Sequence, residues 1–220
     1  MLSYLDWSTL AAARESVRRY RLFRQVGTHT LVSRAKLNTL CTLIRRLDED
    51  AVSGAIVECG VFRGGAAALM ARESGGRRDV VLFDSFEGLP PPGHKDGTIA
   101  AGQYHAGWCA GTESDVREIF RRMGVLNDRV RLVKGWFEQT FPVTEVPPVA
   151  LLHVDADWYD SVRLCLETHF DRIAPGGYLV LDDYGRWEGC TRAADEFLAA
   201  RGLGPLEPTG AVGHYLRKGV

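Results

Sequence analysis

Two short stretches near the end of the chain carry acids directly after apolar runs: Asp155 and Asp157 in LLHVDADWYDS, and Asp182 and Asp183 in GYLVLDDYG. Carboxylates in such close succession repel one another unless positive charge sits between them. Their all-oxygen donor set suits Mg²⁺, Mn²⁺ or Ca²⁺ rather than zinc. A parallel sheet aligns the carboxyl ends of its strands along one edge, so acids ending two strands can meet around one ion without being neighbours in sequence. N-capping by Asp157 and a plain turn at Asp182 and Asp183 are the alternatives. His153 shares a strand face with Asp155 but has no Cys or His partner at metal spacing. It is expected to be hydrogen-bonded within the sheet.

Upstream, an apolar run ends in ECGVFRGG, placing Glu58, Gly60, Gly64 and Gly65 in a turn that opens a helix. Glycine lets a ligand approach the backbone, and the first turn of a helix offers free N–H donors. The glycines do not follow the G-x-G-x-x-G spacing of a dinucleotide site, so a smaller nucleoside fits better; a tight turn with no ligand is the other reading. Asp84 ends the next apolar run, 24 residues beyond Gly60. A carboxylate there can accept both hydroxyls of a ribose, or it can cap the following turn. Trp136 and Phe137 follow a third run, on the side where an adenine would lie, unless they belong to the core.

These residues need a scaffold that brings strand ends together. Short apolar runs alternating with helix-length amphipathic stretches predict strands at 54–60, 79–84, 129–134, 149–155 and 177–182, with helices near 64–74, 113–124, 158–173 and 190–201. The fold expected is α/β, a doubly wound, mostly parallel sheet. The tail GPLEPTGAVGHYLRK is too short for another crossover helix and predicts an antiparallel edge hairpin. Thr112 with Asp115 makes an N-terminal cap, and Gly124 follows the last apolar turn of that helix. Residues 86–111 are too rich in Gly and Pro for a helix and too long for a simple connection, so they predict a lid whose Tyr104, Trp108, His94 and His105 pack over a ligand, with plain disorder as the alternative. Residues 1–30 form an Arg-rich helical segment; Arg14, Arg18, Arg19, Arg21 and Arg24 are expected on a solvated face or a subunit contact.

The chain has 220 residues, the size of one domain, with 27 Lys and Arg against 28 Asp and Glu. A net charge of -1 offers no field for nucleic acid. Five cysteines, odd in number and without a C-x-x-C pair, suggest neither disulfides nor zinc and point to a reducing cytoplasm. The start lacks a signal-peptide pattern and no apolar run is long enough to span a bilayer, so a soluble protein without membrane association is expected.

Six strings in order, IVECGVFRGGAA, LFDSFEGLPPP, VRLVKGWFEQTFP, LLHVDADWYDS, APGGYLVLDDYG and GCTRAADEF, closely resemble the macrocin O-methyltransferase type of metal-dependent class I S-adenosylmethionine methyltransferases. The resemblance runs from about Val32 to the C-terminus. It implies that Glu58, Gly60, Gly64, Asp84, Ser85, Gly135 and Trp136 hold S-adenosylmethionine. It implies that Asp155, Asp182 and Asp183 ligate Mg²⁺ or another oxygen-liganded divalent ion, and that Asp157 is the general base. The acceptor implied is a sugar hydroxyl of a natural product or other glycoside, and the assembly a homo-oligomer. The chain reads D-A-D-W-Y-D-S where the family usually has D-G-D-L-Y-E-S, so the wall beside the base is bulkier here. A catechol-like diol is the alternative acceptor, and a non-catalytic nucleoside-binding module the alternative class. A nicotinamide-dependent reductase is disfavoured by the missing dinucleotide glycines and the missing Tyr-x-x-x-Lys pair.

Overall fold

The computed structural model describes residues 7–219. Residues 1–6 of the expected N-terminal helical segment lie outside the described residues, as does residue 220. Strands β1 (Ala55–Cys59), β2 (Val80–Asp84), β3 (Val130–Lys134), β4 (Val149–Val154) and β5 (Ile173–Leu181) join β6 (Glu207–Pro208) and β7 (His214–Arg217) in one sheet of order β3-β2-β1-β4-β5-β7-β6. The first five strands are parallel, and β7 runs antiparallel to both β5 and β6. The expected doubly wound sheet and its edge hairpin are therefore present. Strand order reverses between β1 and β4, which opens a crevice outside their carboxyl ends.

Buried on both faces, β1, β2 and β4 read as nearly continuous apolar runs. Their side chains alternate between two cores: Ile56, Val80 and Leu82 face one, while Val57, Val81 and Phe83 face the other. The first core is covered by α1 (Trp7–Val26), α2 (Arg34–Glu49), α3 (Gly65–Glu73) and α5 (Glu113–Arg122). Against the second lie α6 (Phe137–Thr140), α7 (Tyr159–His169) and α8 (Glu188–Ala200). The Thr112 and Asp115 capping box forms as expected, with each side chain bonded to the other residue's backbone N–H.

Besides the single-turn helix α6, three elements depart from expectation. The 86–111 segment contains a helix after all, α4 (Gly97–Gln103), whose Ala100 is fully buried in the second core. Tertiary burial outweighs its poor local composition. Strand β5 begins at Ile173 rather than near 177, with a register irregularity opposite Val149 and Leu151. The third is α2, an amphipathic helix that the chain-wide pattern did not single out. Its buried Leu37, Leu40, Cys41, Ile44 and Leu47 recur at helical spacing, and Ser33 caps its start. At the N-terminus, Leu22 and Val26 of α1 enter the first core, and Arg18 reaches Glu73 of α3 at 2.7 Å. Arg14, Arg21 and Arg24 are exposed. All five cysteines are free, and no helix of the described residues is long and apolar enough to cross a membrane.

Candidate active site

A cavity of about 750 Å³ opens where the strand order reverses. Its walls come from the turns after β1, β2, β3, β4 and β5, the start of α2, and Leu89, Trp108 and Cys109 of the 86–111 segment. On the β1 side, Gly60 takes φ +86°, and a Cβ there would collide with the Asp155 carbonyl oxygen. Glycine at 60 therefore serves the close approach of β1 and β4 as well as any ligand. Gly64, expected at the ligand, does not line the cavity. It caps α3 in a left-handed conformation and packs on Val116 of α5.

Asp84 stands at the cavity edge and is already engaged. One carboxylate oxygen accepts the backbone N–H groups of Val61 at 2.6 Å and Phe62 at 2.9 Å; the other accepts that of Phe86 at 2.6 Å. Burial pushes its pKa up and these three bonds pull it back. A carboxylate has about four lone-pair sites, so roughly one remains for a ligand. The turn-capping alternative thus holds, extended to the glycine turn itself. Ser85 is buried beside it, its hydroxyl accepting from the Glu87 N–H and donating to the Gly88 carbonyl. Gly135, Trp136 and Phe137 also line the cavity, and Phe137 stacks on Phe141 with centroids 4.9 Å apart.

Opposite this wall the acids converge. Oxygens of Asp155, Asp157 and Asp183 lie within 4.8 Å of one another, and Asp155 also meets Asp182 and His153 within that limit. Burial and the charges of Asp182 and Asp183 push the Asp155 pKa well up. Burial and Asp183 do the same to Asp157, against the Trp187 indole and Arg186. Burial and the Asp182 charge raise Asp183 to about 6. Asp155, Asp157 and Asp183 thus resist ionisation, the electrostatic mark of a site short of positive charge, whereas His153 and Lys36 lower the pKa of Asp182 against its burial. One buried oxygen of Asp183 has no hydrogen-bond partner. The donor set and this orphaned oxygen fit a hard divalent cation. Asp157 additionally adopts φ +54°, a left-handed conformation uncommon for a residue with a side chain.

Asp182 has partners of its own. Its carboxylate lies 2.5 Å from the Lys36 ammonium, which also donates to the Asp182 carbonyl at 2.8 Å. His153 lies beyond it, fully buried, with Nδ1 2.8 Å from Glu58 and Nε2 3.6 Å from Asp182, too long for a hydrogen bond but close enough for attraction. Burial alone would lower the His153 pKa; the Asp182 and Glu58 carboxylates raise it to about 9. The strand histidine expected to be hydrogen-bonded is so, to Glu58. Glu58 reaches the cavity wall, but burial raises its pKa and one of its oxygens is orphaned. Lys36 is the functional residue that sequence reasoning missed. A single lysine in the first turn of a helix carries no signal, and its partner lies 146 residues away.

Aromatic side chains close the remaining side. Trp108 packs against Trp187 at 6.0 Å and Trp158 at 6.2 Å between ring centroids, and His105 stacks on Trp108. The 86–111 segment thus packs on the acid-bearing wall. A glycine turn feeding a helix, an acid at the end of β2 and a cluster of buried carboxylates thus share one cavity.

A family model described as macrocin O-methyltransferase matches residues 8–218. The chain is 32% identical to the 8-demethyl-8-(2,3-dimethoxy-alpha-L-rhamnosyl)-tetracenomycin-C 4'-O-methyltransferase of Streptomyces olivaceus, over 86% of this chain and 75% of that one. It is 33% identical to the demethyldecarbamoylnovobiocin O-methyltransferase of Streptomyces niveus, over 84% and 74% respectively. Among solved structures, the O-methyltransferase NovP superposes with a TM-score of 0.79 at 31% identity, covering 87% of this chain and 83% of that one.

Proposed function

Because the chain belongs to the macrocin O-methyltransferase family and is an S-adenosylmethionine-dependent O-methyltransferase, we propose that it methylates a sugar hydroxyl of a glycosylated natural product with the help of a divalent cation. The non-catalytic binding module is thereby set aside. One observation carries the reading: Asp155, Asp157 and Asp183 converge in the same cavity as the glycine turn and Asp84. A methyl donor and a proton acceptor thus have adjoining places. The names of the relatives supply the sugar, since one of them acts on a rhamnosyl group.

A sugar hydroxyl is nearly all protonated at neutral pH, and in-line displacement at the sulfonium carbon needs it nucleophilic and held opposite the sulfur. Asp155, Asp182 and Asp183 would hold Mg²⁺ or a similar ion, which when bound lowers the pKa of a coordinated hydroxyl. Asp157 takes the proton. Such general-base help typically contributes about 10² to 10⁴ in rate. The backbone turn at Gly60, buttressed by Asp84, cradles the donor, with Gly135 and Trp136 on the adenine side. Segment 86–111 acts as a lid that excludes water through Trp108. In the assembly, copies of the chain form a homo-oligomer working on a small-molecule acceptor in the cytoplasm.

A catechol-like diol is the second reading, favoured by Trp108 and Trp187, two aromatic walls suited to a flat ring. The experiment is methyl transfer from labelled donor to glycosides and to catechols, with Mg²⁺ and with chelator. Label in glycosides that chelator abolishes and Mg²⁺ restores is expected. Label in catechols alone would move the acceptor to the second reading, and full transfer in chelator would overturn the role of the cation.

A further inference from the structure

We propose that Asp96 is a positioning residue for methyl transfer, the N-terminal cap of α7 supplied from the 86–111 segment. Helix α7 starts at Tyr159, two residues after Asp157, and its own cap residue, Trp158, makes no side-chain capping bond. The N–H of Tyr159 donates instead to Asp96 Oδ1 at 2.7 Å. Asp96 Oδ2 accepts the Gly93 N–H, also at 2.7 Å. By position Asp96 precedes α4, yet its side chain makes no capping bond there. It is 3% exposed, so both oxygens are committed to tying the 93–96 turn to the first turn of α7. A carboxylate at this end of the helix also complements its dipole.

Two neighbouring contacts run the same way. The Trp158 indole donates to the Pro90 carbonyl at 2.8 Å, and the Lys95 ammonium lies 3.7 Å from the Tyr159 ring centroid. Space for the tie is reserved in α8, where a Cβ on Gly189 would collide with Asp96 Oδ1. The consequence concerns Asp157, held at φ +54° between β4 and this anchored helix start. Such a conformation persists only where its surroundings over-determine it. With the cap gone, the start of α7 frays and Asp157 relaxes toward a commoner region. Asp96 thus makes the lid and the proton acceptor one mechanical unit.

The inference rests on Asp157 as proton acceptor in the proposed function, and its test separates the two. Asp96→Ala and Asp96→Asn are compared with the parent chain by hydrogen exchange of residues 156–162, by calorimetric titration with S-adenosylhomocysteine, and by kcat and KM with Mg²⁺. Asp96→Ala should exchange at least tenfold faster at 156–162 and lose at least tenfold in kcat, with donor affinity within twofold. Asp96→Asn retains an acceptor for the Tyr159 N–H and should recover part of both losses. Unchanged exchange overturns the cap. Faster exchange with unchanged kcat, or donor affinity falling in step with kcat, overturns the positioning role. Failure of the proposed function is distinct, because there the parent chain itself transfers no methyl group, while exchange still reports the cap.

Discussion

Asp84→Asn should cost both stability and donor affinity, because Asp84 fastens two turns as well as facing the cavity. In the parent chain its two oxygens accept three backbone N–H groups. Asparagine keeps one acceptor. If its oxygen faces the Val61 and Phe62 N–H groups, its amide nitrogen confronts the Phe86 N–H, donor against donor. A hydrogen bond to a charged group is worth about 1.5 to 3 kcal/mol, so the one lost bond alone should destabilise the fold by about 2 to 3 kcal/mol, before any weakening of the other two. For a chain of this size 1 kcal/mol moves Tm by about 2 to 4 °C, giving a fall of about 4 to 12 °C. With Asp84 facing the ribose as proposed, loss of its charge should weaken S-adenosylhomocysteine by about tenfold or more, since 1.4 kcal/mol is a factor of ten. Thermal melts and calorimetric titration read the two effects separately. An unchanged Tm with lost affinity would show that the turns do not depend on Asp84. A lowered Tm with full affinity in the folded fraction would make Asp84 a buttress alone.

Two further outcomes follow from buried groups. Lys36→Gln removes the partner of a buried Asp182 and should destabilise the chain by about 3 to 5 kcal/mol, with Mg²⁺ restoring more stability to the variant than it adds to the parent. Equal Mg²⁺ stabilisation of both proteins in denaturant melts would refute this. His169 is buried between Phe83 and Phe141 with both ring nitrogens unpartnered, and burial, then the Arg172 charge, depresses its pKa to about 4. The unfolded chain takes up a proton below about 6.5 that the folded chain refuses, so stability is lost as pH falls from about 6.5 to about 4, by at most ~1.4 kcal/mol per unit. His169→Phe should therefore raise Tm more at pH 5 than at pH 8, and an equal rise at both would contradict the assignment.

The sheet and the location of the site were legible because apolar runs ending in Glu58, Asp84, Asp155 and Asp182 carry their own strand register. Strand β5 was read short because Pro175, Gly176 and Gly177 look like a turn. In the structure Gly176 takes φ +80° and the strand accommodates it as an irregularity. Helix α4 was invisible because Gly97 to Gln103 has little intrinsic helix preference and is held by burial of Ala100. What side chains do to distant backbone was the least legible. Neither Asp84 bonding the glycine turn nor Asp96 capping α7 is written in residue types, and Lys36 finds Asp182 only through the packing of α2.

In the proposed mechanism Asp157 takes the proton while Asp155, Asp182 and Asp183 hold the cation, although Asp157 stands as close to Asp155 and Asp183 as a ligand would. Mg²⁺ titration of methyl transfer in Asp157→Asn tests it most directly, with Asp155→Asn as the reference. Asp157→Asn should lose about 10² to 10⁴ in kcat at an unchanged Mg²⁺ requirement, while Asp155→Asn should need more Mg²⁺ and recover with it. Rescue of Asp157→Asn by excess Mg²⁺, with Asp155→Asn beyond rescue, would contradict it and exchange the two roles.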